Sequence, residues 1–251
     1  MTDTYIALFV FTLLFGAVQL GMLIGARLPQ HHQTSDTKDA VRLGMGTVAT
    51  MTALILGLLV ASEKSDFDTE RAEVTQLAAR VMYLDRVLDD YGTDSAKCRV
   101  ILRGAVTSAV ARIWPTAASG TVKDDPSVLW TTDLPNSVHA LVPQNDEQRA
   151  AKAQAEAVIS EIGQIRWLLV GQSESSISSP LIALVISWLT IFFLSLGLFA
   201  PRNATSIVAQ LMAAYAIAGA IYLIIELDKP FSGYIRIPSE AMVNALNQLS
   251  R

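Results

Sequence analysis

From Arg42 to Tyr91 the chain reads RLGMGTVATMTALILGLLVASEKSDFDTERAEVTQLAARVMYLDRVLDDY, and no proline or glycine falls between Ala61 and Gly92. Leu43 to Ala61 is apolar and uncharged, and about 20 such residues cross a ~30 Å hydrocarbon core at 1.5 Å per residue. Beyond Ala61 the segment turns polar but keeps Phe67, Val74, Leu77, Val81, Leu84, Leu88 and Tyr91 at steps of three, four and seven. That is a heptad stripe, and Gly92 fits the C′ position that ends a helix. Read as one helix, Arg42 to Tyr91 measures on the order of 75 Å, with more than half of it beyond the bilayer.

Three further apolar runs flank this rod. Tyr5 to Ala26 precedes it, and Pro180 to Ala200 and Ser206 to Leu227 follow. Lipid offers the backbone no hydrogen-bond partners, so each run is expected to be a helix. The first run is read as a span and not a signal peptide. Met1 to Thr4 carries no Lys or Arg, and the apolar stretch is too long for an h-region. Pro201-Arg202-Asn203 leaves room only for a tight hairpin between the last two spans. The expected fold is an all-α membrane protein with four transmembrane helices. A helical soluble domain is inserted between the second and third, and the second helix extends far out of the bilayer. The expected divisions are 1–61 for the first two spans, 62–179 for the soluble domain, 180–227 for the last two spans and 228–251 for a tail.

Within the soluble part, Thr93-Asp94-Ser95 offers an N-cap for a helix ending near Trp114-Pro115. Thr116 to Pro143 reads as loop with at most short helical turns. Asn145 with Gln148 resembles a capping box, opening a helix to about Val170. Ala155, Val158, Ile162, Ile165 and Leu169 form its own stripe. The two stripes call for each other or for a copy on a neighbouring subunit. An uncovered Phe67–Tyr91 stripe would be a sizeable apolar surface, which favours a homo-oligomer. Gln172 to Ser179 is a polar link.

Composition removes several function classes. Hydrophobic residues make up 51% of the 251 and charged residues 17%, too apolar for an ordinary soluble domain. The net charge of -4, without a Lys/Arg block, disfavours a nucleic-acid partner. Cys98 has no His–Cys motif beside it and reads as part of a helix face. His31, His32 and His139 lack ligand-spaced partners and read as surface histidines. There is no Walker loop, nucleophile elbow or zincin helix. The reading is a non-enzyme without metal or cofactor. The bilayer and the chain itself are the expected partners, and ions are candidate cargo.

Two features could carry function. Gly46, Thr50, Ala53, Gly57 and Ala61 share one face of the second span. That face suits either close helix packing or a pore lining. Gly21-Met22-Leu23-Ile24-Gly25 in the first span is read as packing. Glu63, Asp66, Asp68, Glu70 and Glu73 follow where the rod leaves the membrane. They form either a solvated face or, in a symmetric oligomer, acidic rings at a pore mouth. In the fourth span, Tyr222 and Glu226 read as interface anchors. No carboxylate sits in the middle of a span, which argues against a proton relay.

Gly197-Leu198-Phe199-Ala200-Pro201-Arg202-Asn203 and Ile225-Glu226-Leu227-Asp228-Lys229-Pro230-Phe231-Ser232-Gly233 resemble the signature of the bestrophin-like family of bacterial membrane proteins. Asp228, Pro230, Phe231 and Gly233 are also similar to the residues after the last span of bestrophin anion channels. Phe67 and Asp68 are similar to the pair after their second span. The resemblance implies a pentamer with the second span around the axis and a neck near Gly46, Thr50 and Leu54, with Gly57 on the same lining. Two departures stand out. Thr69-Glu70-Arg71 replaces a Trp-rich continuation, and Tyr234-Ile235-Arg236-Ile237 replaces the acidic run that holds calcium in animal bestrophins. No calcium clasp is therefore expected.

The charge count around the spans leans towards cytoplasmic short loops. The resemblance implies the reverse, with the soluble domain in the cytoplasm of a plasma membrane (the inner membrane in a Gram-negative cell). Two functional readings stand. One is a homo-oligomeric ion channel. Its pore-lining candidates are Gly46, Thr50, Leu54 and Gly57, and its pore-mouth candidates Glu63, Asp66 and Glu70. The other is a non-conducting scaffold or sensor whose helical domain binds a partner.

Overall fold

The structure is a computed structural model and describes residues 2–29, 34–114, 133–172 and 179–249. The described residues form eight α-helices and no strands. They are α1 (Thr2–Gly25), α2 (Ser35–Tyr91), α3 (Ala96–Ile113), α4 (Asp133–His139), α5 (Asp146–Gln172), α6 (Ser179–Leu198), α7 (Ala204–Leu227) and α8 (Glu240–Gln248). Four of them, α1, α2, α6 and α7, are long and apolar enough to cross a membrane. The chain is a multi-pass membrane protein. The rod is unbroken at Ser62 and begins at Ser35, seven residues before the expected Arg42. Gly92 ends it with φ of 105°, where a Cβ would be strained. His31, His32, most of the Thr116–Pro143 loop and nearly all of the Gln172–Ser179 link lie outside the described residues.

Two compact units divide the chain, Met1–Ser65 with Ile177–Lys229, and Asp66–Ser176 with Pro230–Arg251. In the first unit α1 packs on α6 and α7. Val10, Leu14, Val18, Leu189, Phe193, Ala214, Ala218 and Ile221 form its core. Glycine sets the α1–α6 distance. A Cβ built on Gly21 would overlap the carbonyl oxygen of Leu194, one on Gly25 that of Leu198, and one on Gly197 that of Val18. Pairing 21 with 194 and 25 with 198 makes the two helices parallel. Without a hydrophobic drive between helices in lipid, such backbone approach and its Cα–H···O contacts supply the attraction. The packing reading of Gly21 and Gly25 therefore holds, with Gly197 as the partner on the other helix.

The second unit buries both heptad stripes within the chain. Phe67, Val74, Leu77, Val81, Leu84, Leu88 and Tyr91 of α2 are buried, as are Ala155, Val158, Ile162, Ile165 and Leu169 of α5. Cys98, Leu102, Val106 and Ala109 of α3 join them. Polar ties fix the register. Arg80 pairs with Glu161 at 2.9 Å, and Gln154 donates to the Tyr83 hydroxyl. Arg99 forks onto Asp85 at 2.8 and 3.0 Å and reaches Asp89 at 2.7 Å. Of the two alternatives the sequence left open, cover within the chain is the one observed, so the stripes themselves do not require a second copy.

Local capping departs from the reading in one place. Ser95 makes no side-chain cap on α3. Its hydroxyl instead reaches the carbonyls of Leu88 and Gly92, satisfying the end of α2. Asn145 behaves as read. It accepts from Gln148 N at 2.7 Å, while the Gln148 side chain accepts from Gln144 N at 2.7 Å.

Candidate functional site

At about 100° per residue, Gly46, Thr50, Leu54 and Gly57 fall within roughly an 80° arc of α2. All four are exposed, Leu54 by 70%. Nothing among the described residues lies within 4 Å of a Cβ built on Gly46 or Gly57, so none of the described helices packs closely there. The Thr50 hydroxyl donates back to Gly46 O at 2.9 Å, which leaves its lone pairs facing outward. On the opposite side of α2, Thr52 is buried, and Ile55, Leu56 and Leu59 pack against the first unit's core.

The acidic candidates divide. Asp66 is exposed, but Glu63 and Glu70 are only 4% and 8% exposed. Glu63 lies one turn beyond Leu59, on the inward stripe and roughly 140° from the centre of the small-residue arc. Glu70 sits between Phe67 and Val74 of the buried heptad. The two glutamates therefore do not share the face of Gly46 and Thr50, and the solvated-face account does not describe them. Along the small-residue arc the next charged residue is Lys64, which is exposed. Glu226 is also buried.

Each half of the signature has a structural task. Arg202 donates to Met22 O at 2.8 Å, setting a cation at the C-terminal end of α1, worth about 0.3–1 kcal/mol. Asn203 caps α7 by accepting from Ser206 N at 2.7 Å. After α7, Asp228 is the C-cap and its N–H bonds Ile224 O. Pro230 O accepts from Ile237 N at 2.7 Å and closes the loop, in which Gly233 takes φ of 86°. Phe231 meets Trp114 edge-on at 6.0 Å, and the Trp114 indole N–H donates to Ile237 O at 2.8 Å. Trp114 was not among the candidates from sequence. Its partner lies 123 positions away, beyond any local pattern.

The loop does not fit calcium, which takes 6–8 oxygen ligands. Tyr234-Ile235-Arg236-Ile237 supplies no carboxylate, and Arg236 adds a positive charge. Outside the spans, the Tyr91 phenol is pushed above its ordinary value by burial and then by Asp94. The Arg99 guanidinium is held more strongly protonated by its hydrogen bond to Asp85.

No curated protein matches the chain. One similar solved structure is a crystal structure described as a membrane protein. It is 15% identical with a TM-score of 0.65, and the match covers 97% of each chain. At that identity the likeness concerns the fold alone. A model of the bestrophin-like domain matches residues 12–242, from the middle of α1 into α8, and the chain belongs to the bestrophin-like family.

Proposed function

We propose that the chain assembles into a homo-oligomeric ion channel in the plasma membrane, or the inner membrane of a Gram-negative cell. The α2 span faces the axis, the helical unit lies in the cytoplasm, and the copy number is five, as in the bestrophins it resembles. The observation that carries this reading is the bareness of α2. Only 6% of its apolar window is buried, against 33% in α1 and 22% in each of α6 and α7. Of the four spans it contributes least to its own chain's core. Its bare face holds Gly46, Thr50, Ala53 and Gly57, and small residues facing acyl chains forfeit dispersion contacts. Neighbouring copies and a water column cover such a face better.

The mouth of this pore carries Lys64 and, one turn further, Asp68 on the lining arc, both exposed, while Glu63 and Glu70 turn away. Nothing in the reading calls for catalysis. The scaffold alternative draws on the heptad stripes and on the lack of buried charge, and the stripes are buried within the second unit.

The test is single-channel recording of purified protein in planar bilayers. Thr50→Trp should reduce unit conductance, and Lys64→Glu should shift the reversal potential towards cation permeation. Currents indifferent to both substitutions would remove α2 from the axis. Absence of flux through well-formed oligomers would remove conduction itself.

A further inference from the structure

In the second unit the outer faces of α3 and α5 each carry a seam of small or uncharged residues. On α3 it is Val100, Gly104, Thr107 and Ala111, and on α5 it is Ala153, Ala157, Ser160 and Gln164. Every one of them is exposed, Val100 by 72%. Nothing among the described residues lies within 4 Å of a Cβ built on Gly104. Thr107 turns its hydroxyl back to Arg103 O at 2.8 Å, which leaves its methyl outward. A helix face that stays in water ordinarily carries charge. Each seam instead steps by four, three and four, the a and d spacing of a coiled coil.

The two seams also match in direction and height. Arg99 bonds both Asp85 and Asp89, which puts it level with position 87 of α2. The ties Tyr91–Gln148, Tyr83–Gln154 and Arg80–Glu161 put position 152 of α5 at that same level. Both helices run against α2, so they are parallel to each other. A residue of α3 stands level with the α5 residue about 53 places further on. Val100 is thereby level with Ala153, Gly104 with Ala157, Thr107 with Ser160 and Ala111 with Gln164. Rotation about an axis along the bundle moves a copy without changing its height. A cyclic oligomer therefore brings the α3 face of one copy to the α5 face of the next layer on layer, a head-to-tail contact that closes into a ring. Charge agrees with this pairing. α3 has four cations and no carboxylate, and Arg103 has no anion among the described residues. Arg103 takes a g position, which faces the e position of Glu161 on a parallel partner. Glu161 holds Arg80 at 2.9 Å with its side chain 43% exposed, and a carboxylate has lone pairs for a second cation.

We propose that the α3 seam of one copy docks, parallel and in register, on the α5 seam of the next copy, from Val100 on Ala153 to Ala111 on Gln164. This rests on the homo-oligomer of the proposed function and names the contact that would join its soluble units.

The test is oxidative crosslinking of the full chain in membranes, with the mass of the unoxidised oligomer measured in detergent. Thr107→Cys and Ser160→Cys fall in one layer. The double variant should join head to tail and run on a denaturing gel as a ladder that ends at the copy number of the oligomer. Each single variant has no cysteine opposite it and should stay a monomer, since the chain's own Cys98 is buried. Thr107→Cys with Ala150→Cys is about 15 Å out of register, beyond disulfide reach, and should also stay a monomer. Dimers from either single variant would mean that a face meets its own copy, which overturns the docking. Equal ladders from the matched and mismatched pairs would overturn the register. An oligomer of full mass with no crosslink would overturn this contact and leave the oligomer of the proposed function standing. A monomer in detergent with no crosslink in membranes would remove both.

Discussion

Replacing Gly21 with alanine adds one methyl group to α1 at the point where the helix meets α6. The new carbon has nowhere to go, because it falls on the carbonyl oxygen of Leu194 and lies 3.0 Å from Gly197 Cα. Both obstacles are backbone, so no rotamer change relieves them and the helices must separate. A gap of 0.5–1 Å forfeits about a quarter to a half of each contact's attraction, and overpacked cores typically lose about 1–3 kcal/mol. Alanine returns up to ~1 kcal/mol of helix propensity by the aqueous scale. The net expectation is a loss of about 1–2 kcal/mol, roughly a 5- to 30-fold change in the folding equilibrium. Gly16 supplies the control. It lies in the same helix with nothing within 4 Å of a built Cβ, so Gly16→Ala should be neutral or slightly stabilising. Both variants are compared by denaturant unfolding in detergent micelles, followed by the fluorescence of Trp188 in α6. Equal midpoints for Gly21→Ala and Gly16→Ala would refute the reasoning, since propensity alone treats the two sites alike.

Further outcomes follow from the second unit. The Tyr91 hydroxyl is buried without a hydrogen-bond partner among the described residues, so Tyr91→Phe should stabilise by about 1 kcal/mol near neutral pH, read from the unfolding midpoint. Burial raises this phenol's pKa above 10, so the folded state holds the proton more tightly than the unfolded chain. That contribution is complete below pH 10 and is lost as pH rises through the folded pKa. Wild type should therefore weaken more steeply above pH 10 than Tyr91→Phe does. Arg99→Leu should cost about 1–3 kcal/mol, because its fork holds a partly buried Asp85. Arg149→Leu, at an exposed pair with Asp146, should cost about 0–1 kcal/mol in the same assay. Trp114→Phe keeps a ring against Phe231 but removes the donor to Ile237 O. Amide exchange at Ile237 should then quicken, while the core of α5 keeps its protection.

The spans were legible because a long apolar run admits few solutions in lipid. The rod was legible because its continuity needed only the absence of Pro and Gly beyond Ala61. Gly92, Asn145 and the two stripes were visible as local chemistry at fixed spacing. The burial of Glu63 and Glu70 was legible in their period. Glu63, Phe67, Glu70 and Val74 step by four, three and four, so the inward stripe already contained the glutamates. Gly197 stood in view within an apolar run, but its partner at Gly21 is set by tertiary packing. Trp114 and α8 were illegible for a related reason. A nine-residue amphipathic helix has weak local preference, and what stabilises α8 is its contact with α3, far away in sequence.

The two halves of α2 answer to different solvents. In water the stripe from Phe67 to Tyr91 must be covered, since exposed apolar area costs about 25 cal/mol per Å², and the chain covers it unaided. In lipid the same rule lapses, and hydrophobicity no longer selects a neighbour for Gly46, Thr50 or Gly57. Contact must then come from shape or from water, and these separate experimentally at Thr50. If Thr50 meets a helix of another copy, Thr50→Leu adds bulk to a close interface and breaks the oligomer, read as mass in detergent. If Thr50 faces a water column, the oligomer survives and only conduction changes. Thr50→Ser tightens the distinction, because it keeps the hydroxyl and removes one methyl. A lining should tolerate that substitution, whereas a tight helix interface should weaken.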